Sequence, residues 1–145
     1  MHYHIIDKPA FQVAGKALLT SQAEAATGRI AAFWAQCNQN GSIEEIWRLR
    51  KPGVLGDVVV GLCRNLQADG TFEYIAGTEV GSVPQEPGLM TVDVPAGKWL
   101  VYEVIGPMPQ AVQQAWETIF AQVLPSIGYR HAGTPDMEVY YDGNT

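Results

Sequence analysis

Gly56-Asp57-Val58-Val59-Val60-Gly61-Leu62-Cys63-Arg64 and Thr71-Phe72-Glu73-Tyr74-Ile75-Ala76-Gly77 are two β-rich runs joined by a loop containing Ala68-Asp69-Gly70. Branched and aromatic side chains suit a pleated strand, and Asp-Gly supplies the tight reversal between strands, so the pair reads as a β-hairpin. A hairpin makes the central pairing antiparallel. The regular strand-helix alternation of a doubly wound parallel sheet is missing on either side of it.

Towards the N-terminus, Ile5 to Gly15 reads as a short extended segment ending on glycine. Ser21 and Glu24 form a capping box, and Ala26, Ile30, Phe33, Trp34 and Cys37 recur at helical spacing, predicting a helix that Asn40-Gly41 stops. A second Ser-x-x-Glu pattern, Ser42 to Glu45, predicts a shorter helix ending before Pro52-Gly53. Arg48, Arg50 and Lys51 cluster near its C-terminus, where they complement the helix dipole.

Towards the C-terminus, the Pro- and Gly-containing stretch Gly81 to Gly88 reads as a loop between two halves. Strands are predicted from Met90 to Pro95 and from Lys98 to Ile105, the latter ended by Gly106-Pro107. The longest helix follows from Pro109 to Pro125, with Val112, Ala115, Trp116, Ile119, Phe120, Val123 and Leu124 on one face. Met137 to Tyr141 reads as the last strand. The order strand, helix, strands thus occurs twice, over about 1–80 and about 89–145. We expect an α+β fold of two duplicated modules within one domain, 1–145, with one large amphipathic helix per half and a ligand groove where the halves meet.

The 145 residues include 47% apolar and 17% charged residues, enough for a substantial core. Fifteen acidic against nine basic residues give a net charge of −6, and the pI is near 4.9. Such a balance argues against direct nucleic-acid or anionic-membrane contact, which needs clustered Lys and Arg. No run of about 18 apolar residues and no signal-peptide pattern at Met1-His2-Tyr3-His4 is present, so a cytoplasmic location is expected. Cys37 and Cys63 lack metal or redox spacing and read as reduced, buried thiols.

The nucleophile elbow, phosphate loop, dinucleotide fingerprint and zinc-protease motif are all missing. His2 and His4 share a strand face but would need a distant third ligand such as His131, so no metal and no cofactor are expected. On the last strand, alternation sets Glu138, Tyr140 and Asp142 on one face and Met137, Val139 and Tyr141 on the other. The second face is the apolar candidate for packing on a helix. Glu138 and Tyr140 then either face water or look into an aromatic cleft that attracts cations. Phe33, Trp34, Trp116 and Phe120 fall in helical apolar stripes and read as core. Trp47, Tyr74, Trp99 and Tyr102 lie outside those stripes and are the better pocket candidates.

Four segments in register resemble the GyrI-like small-molecule-binding domain, which also serves as the effector-binding domain of AraC-type and MerR-type regulators. They are Phe72 to Val80, Val94-Pro95-Ala96-Gly97-Lys98-Trp99, Trp116 to Pro125 with Gly128-Tyr129, and Asp136-Met137-Glu138-Val139-Tyr140. The resemblance implies two βαββ-like repeats about a pseudo-twofold, helices on a curved antiparallel sheet, and a ligand cleft between repeats. It implies bulky, lipophilic, often cationic ligands held by aromatic rings and a buried acid, and it carries that role to Glu138 and Tyr140, reversing the solvent-facing preference. Tyr74 matches an aromatic position of the family, which often carries Tyr or Phe where this chain has Trp99. With no helix-turn-helix ahead of Met1, the chain is expected to be a stand-alone member, transcriptional control requiring a protein partner.

The leading expectation is therefore a binding protein for lipophilic, cationic small molecules, with Glu138 as counter-ion and Tyr140, Tyr74, Trp99, Trp47 and Tyr102 as its aromatic wall. Two alternatives remain open. One is a hydrolase of strained cyclopropane-type compounds using Glu138 and a tyrosine, the pairing that the resemblance implies for a few stand-alone relatives. The other is a protein-interaction module such as a gyrase inhibitor.

Overall fold

In the computed structural model, the described residues are 3–51, 53–56, 58–81, 88–104, 110–124 and 135–141, with 26, 140 and 141 described by their backbone alone. The strands are β1 (Tyr3–Lys8), β2 (Phe11–Ser21), β3 (Val58–Arg64), β4 (Thr71–Val80), β5 (Met90–Val94), β6 (Gly97–Tyr102) and β7 (Asp136–Tyr141). The helices are α1 (Gln22–Ala26), α2 (Arg29–Gln39), α3 (Ser42–Arg48) and α4 (Gln110–Thr118), the last continued by a π-helical turn, Ile119–Val123. The fold is a mixture of helices and antiparallel strands, as expected. No helix among the described residues is long and apolar enough to cross a membrane.

The hairpin that opened the sequence is present, with β3 and β4 antiparallel and Val60 opposite Gly77. It forms the middle of a five-stranded sheet in the order β5-β2-β4-β3-β7, while β1 and β6 form a separate two-stranded ribbon. Among the described residues, β5, β6 and β7 pair with strands from the first half and never with one another. The two halves of the chain are interleaved.

Several boundaries differ from the sequence expectations for local reasons. β2 does not stop at Gly15 but runs through it, because Gly15 lies directly opposite Gly77 and a Cβ there would overlap the Ala76 carbonyl oxygen. Gly15 marks a close approach of strands rather than an end. Ser21 caps α1 as predicted, accepting the Glu24 N–H at 3.2 Å. The expected single helix is nevertheless broken at Thr27-Gly28, where Gly28 has φ +97°. Ser42 is not a cap: it is the first residue of α3, and the Asn40 side chain accepts its N–H at 3.0 Å. Pro52, Gly106, Pro107, Pro109, Pro125, Gly128, Tyr129 and residues 82–87 lie outside the described residues.

Period-two alternation gives the large sheet two apolar faces. One holds Phe11, Val13, Val60, Leu62, Ile75 and Val92, against which Trp99 of the ribbon, Val54 and Leu55 of the 53–56 segment, and Met137 and Val139 pack. The other holds Val59, Phe72, Tyr74 and Ala76 with Trp34, and is covered by α1, α2 and α3 through Ala25, Ile30, Phe33, Ile43 and Trp47. Met137 and Val139 thus pack, partly buried, against the core, but the layer on that face is ribbon and loop. The helices cover the opposite face, the one that Glu138 shares.

Candidate functional site

The site starts from a glycine. Gly61 on β3 stands between Ala76 of β4 and Glu138 of β7. A Cβ at Gly61 would overlap the hydroxyl of Tyr74, whose ring therefore occupies the space a side chain would fill. Tyr74 pairs with Cys63 on β3. Its ring spans β3 and its hydroxyl donates to Glu138 Oε1 on the far strand at 3.2 Å. Without a glycine at 61 the tyrosine would have no route across.

Tyr74 is 0% exposed. Trp34 of α2 donates its indole N–H to the same hydroxyl at 2.8 Å. The rings of Phe33 and Trp34 stand edge-on to Tyr74, with centroids 6.4 and 6.3 Å away. Edge-to-face packing of this kind adds about 0.5–1.5 kcal/mol per pair beyond area burial. The other carboxylate oxygen, Glu138 Oε2, accepts the indole N–H of Trp116 from α4 at 2.9 Å. Trp116 in turn stacks on Phe120, with centroids 5.9 Å apart and planes 22° apart.

The partly buried carboxylate of Glu138 thus lies between two neutral donors supplied by two elements, among rings from α2, β4 and α4. A buried carboxylate without donors would be costly; here Tyr74 and Trp116 offset part of that cost. Its field reaches the neighbouring thiol of Cys63, whose pKa is pushed up by burial first and then by the carboxylates of Glu138 and Asp136. Cys37, the other free thiol, is pushed up by burial and partly brought back by Lys16.

The six residues singled out from the sequence are not all gathered here. Tyr74 and Glu138 are hydrogen-bonded to each other. Trp47 packs on the helix-covered cluster that contains Tyr74, and the Arg50 guanidinium lies over its ring at 4.1 Å. Tyr140 sits opposite Val59 on β3, and its side chain lies outside the described residues. Trp99 is on the other side of the sheet, 6.4 Å from the Phe11 ring, because the ribbon that carries it covers that face. Tyr102 pairs with Tyr3 in the ribbon and lines a cleft of about 220 Å³ against Ala111, Ala115 and Thr118 of α4. The structure places Trp99 on the sheet face opposite to Glu138, and Tyr102 at a cleft against α4, the helix that also carries Trp116.

Trp34 is a core residue as expected, with Phe33 packed on the same cluster; what the stripes did not show is that Trp34 and Trp116 also donate to the tyrosine and the acid. Phe120 is 47% exposed and is not core. The overlooked signal was the indole N–H: a buried tryptophan needs an acceptor, and an apolar stripe offers none. Among the described residues no group of His, Cys, Asp and Glu is placed to hold a metal ion; His4 is exposed on β1, and His2 and His131 lie outside them.

Comparison with known proteins settles the lineage. Residues 4–145 match the model of the integron-associated effector-binding proteins. The chain belongs to that family. The match agrees with the GyrI-like resemblance carried by the four segments. The chain is 31% identical over 143 residues to the transcriptional regulator BrlR of Pseudomonas aeruginosa; the alignment covers 98% of the chain and 48% of that protein, so the chain spans about half the length of the curated relative. Its fold is similar to SAV2435 bound to tetraphenylphosphonium, with a TM-score of 0.82 and 24% identity over 99% of this chain and 86% of the other. It also resembles an integron cassette protein of Vibrio cholerae, with a TM-score of 0.70 and 24% identity over 98% and 90% of the two chains.

Proposed function

We propose that this effector-binding domain takes up lipophilic organic cations, with Glu138 as the counter-ion and Tyr74, Trp34, Phe33 and Trp116 as its aromatic surroundings. The observation that carries the proposal is a partly buried carboxylate that accepts from Tyr74 and Trp116 among aromatic rings. An anion in this setting attracts a diffuse cation more strongly than in water, and each ring face adds roughly 0.5–2 kcal/mol. The similarity in fold to a protein bound to tetraphenylphosphonium supports the choice of ligand class. Tyr140, on the same strand as Glu138, and Trp47, on the same cluster as Tyr74, are proposed as further wall residues. The acidic balance leaves DNA contact to another chain segment or partner wherever the response is transcriptional.

Calorimetric titration with tetraphenylphosphonium tests this. The Glu138→Gln variant should bind the cation about tenfold or more weakly and bind the neutral triphenylphosphine oxide as the wild type does. Equal weakening of both compounds, or of neither, removes Glu138 from the role. The Tyr74 hydroxyl on Glu138 is also the pair a ring-opening hydrolase would use; an activated cyclopropane recovered intact after incubation favours binding, and an opened ring favours the enzyme.

A further inference from the structure

Tyr74 and Trp116, both donors to Glu138, are unequal. Tyr74 has no exposed surface, its hydroxyl accepts from Trp34, and it lies in the gap left by Gly61. Withdrawing it would strand a hydroxyl in the interior, an expensive outcome. Trp116 is only partly buried and is stacked on a half-exposed Phe120. The helix carrying both residues passes between them from α to π geometry, a distortion often found where helices adjust at functional sites. The donor that can yield is Trp116.

What Trp116 directs at Glu138 is the positive end of an N–H dipole, 2.9 Å from the oxygen. A cation approaching that oxygen is repelled by this hydrogen and must share the acceptor with it, whereas the face of the same indole would attract the cation. We infer that the Trp116 indole N–H is an internal competitor for Glu138: it occupies the carboxylate in the empty protein and is displaced by the cationic ligand. The inference rests on the proposed role of Glu138 and adds a determinant of affinity to it. The competition acts on cations that seek the carboxylate, so neutral compounds of the same shape escape it.

Trp116→Phe keeps an aromatic ring and removes the N–H. The affinity of this variant for tetraphenylphosphonium relative to triphenylphosphine oxide should rise about threefold or more over that of the wild type. In wild-type protein, a ¹H–¹⁵N spectrum should show the Trp116 indole proton moving upfield on addition of tetraphenylphosphonium, as its bond to the carboxylate is lost. This second measurement does not depend on any variant folding. A cation-to-neutral affinity ratio that does not rise in Trp116→Phe, or an indole proton unmoved at saturation, overturns the competition. If Glu138→Gln leaves cation binding intact, the counter-ion role itself fails, so the two failures are distinguishable.

Discussion

At the scale of single residues, the site depends on an atom that is missing. Gly61→Ala would drive a methyl group into the Tyr74 hydroxyl, and the tyrosine, enclosed on every side, has no alternative place. We expect a loss of about 2–4 kcal/mol in urea unfolding, together with a weakened cation affinity, because the displaced hydroxyl no longer holds Glu138. Cys63 reports on the same neighbourhood. Its pKa is raised in the folded chain, so the folded state holds the thiol proton more tightly than the unfolded state does. The resulting stability is fully present below about pH 8.5 and is lost as the pH climbs beyond that value. The urea midpoint of the wild type should therefore fall more steeply above pH 8.5 than that of Cys63→Ala. Glu138 and Tyr74 were legible in the sequence as an acid and an aromatic on strands. Trp34 and Trp116 were not, since a 3.6-residue stripe records which side of a helix is apolar and not which polar atom on that side needs a partner.

At the scale of elements, glycine decided where sequence periodicity misplaced the ends. Gly28 breaks a helix whose apolar pattern runs on through it, and Gly15 continues a strand that it was expected to end. The difference is tertiary: only the facing Gly77 shows that Gly15 permits a close approach, and Gly77 is more than sixty positions away. Glu79 at the end of β4 carries an element-level role with no sequence signature. It is 5% exposed, and its carboxylate accepts the backbone N–H groups of Gly53, Val54 and Leu55 at 2.7–3.1 Å. Those bonds pin the segment leading into β3 and keep Val54 and Leu55 against the core. Glu79→Ala should cost about 2–4 kcal/mol and should speed hydrogen exchange at residues 53–55 before it affects the exchange of β2 or β4. Uniform acceleration across the sheet would mean that the carboxylate supports the fold as a whole.

At the scale of the molecule, the antiparallel hairpin and the mixed α+β class followed from local turn chemistry, while the assembly of the strands did not. Nothing in β1 or β6 alone shows that they leave the main sheet to pair with each other, and the sequence runs the end of β1 and the start of β2 together as one extended segment from Ile5 to Gly15. Two sheets of unequal size predict two levels of protection. Amides of β2, β3 and β4, which pair on both sides, should exchange at rates set by global unfolding, and those of the β1–β6 ribbon should exchange faster through local opening. Mass spectrometry of exchanged peptides measures both. The net charge of −6 has a similarly uneven distribution of meaning: Glu138 is tied to the candidate site, Glu79 pins a loop, and Glu24 belongs to a helix cap.

The separation between the Gly61–Tyr74–Trp34 framework and the Trp116–Phe120 flank also bears on how this domain would change under selection. The framework is closed to substitution, because Tyr74 fills the space that Gly61 leaves and its buried hydroxyl takes the Trp34 indole N–H. The flank ends on a half-exposed ring, Phe120. In a library randomised at positions 34, 61, 74, 116 and 120 and sorted for uptake of new cations, surviving diversity should accumulate at 116 and 120, so that the repertoire of compounds recognised drifts while the scaffold stays still.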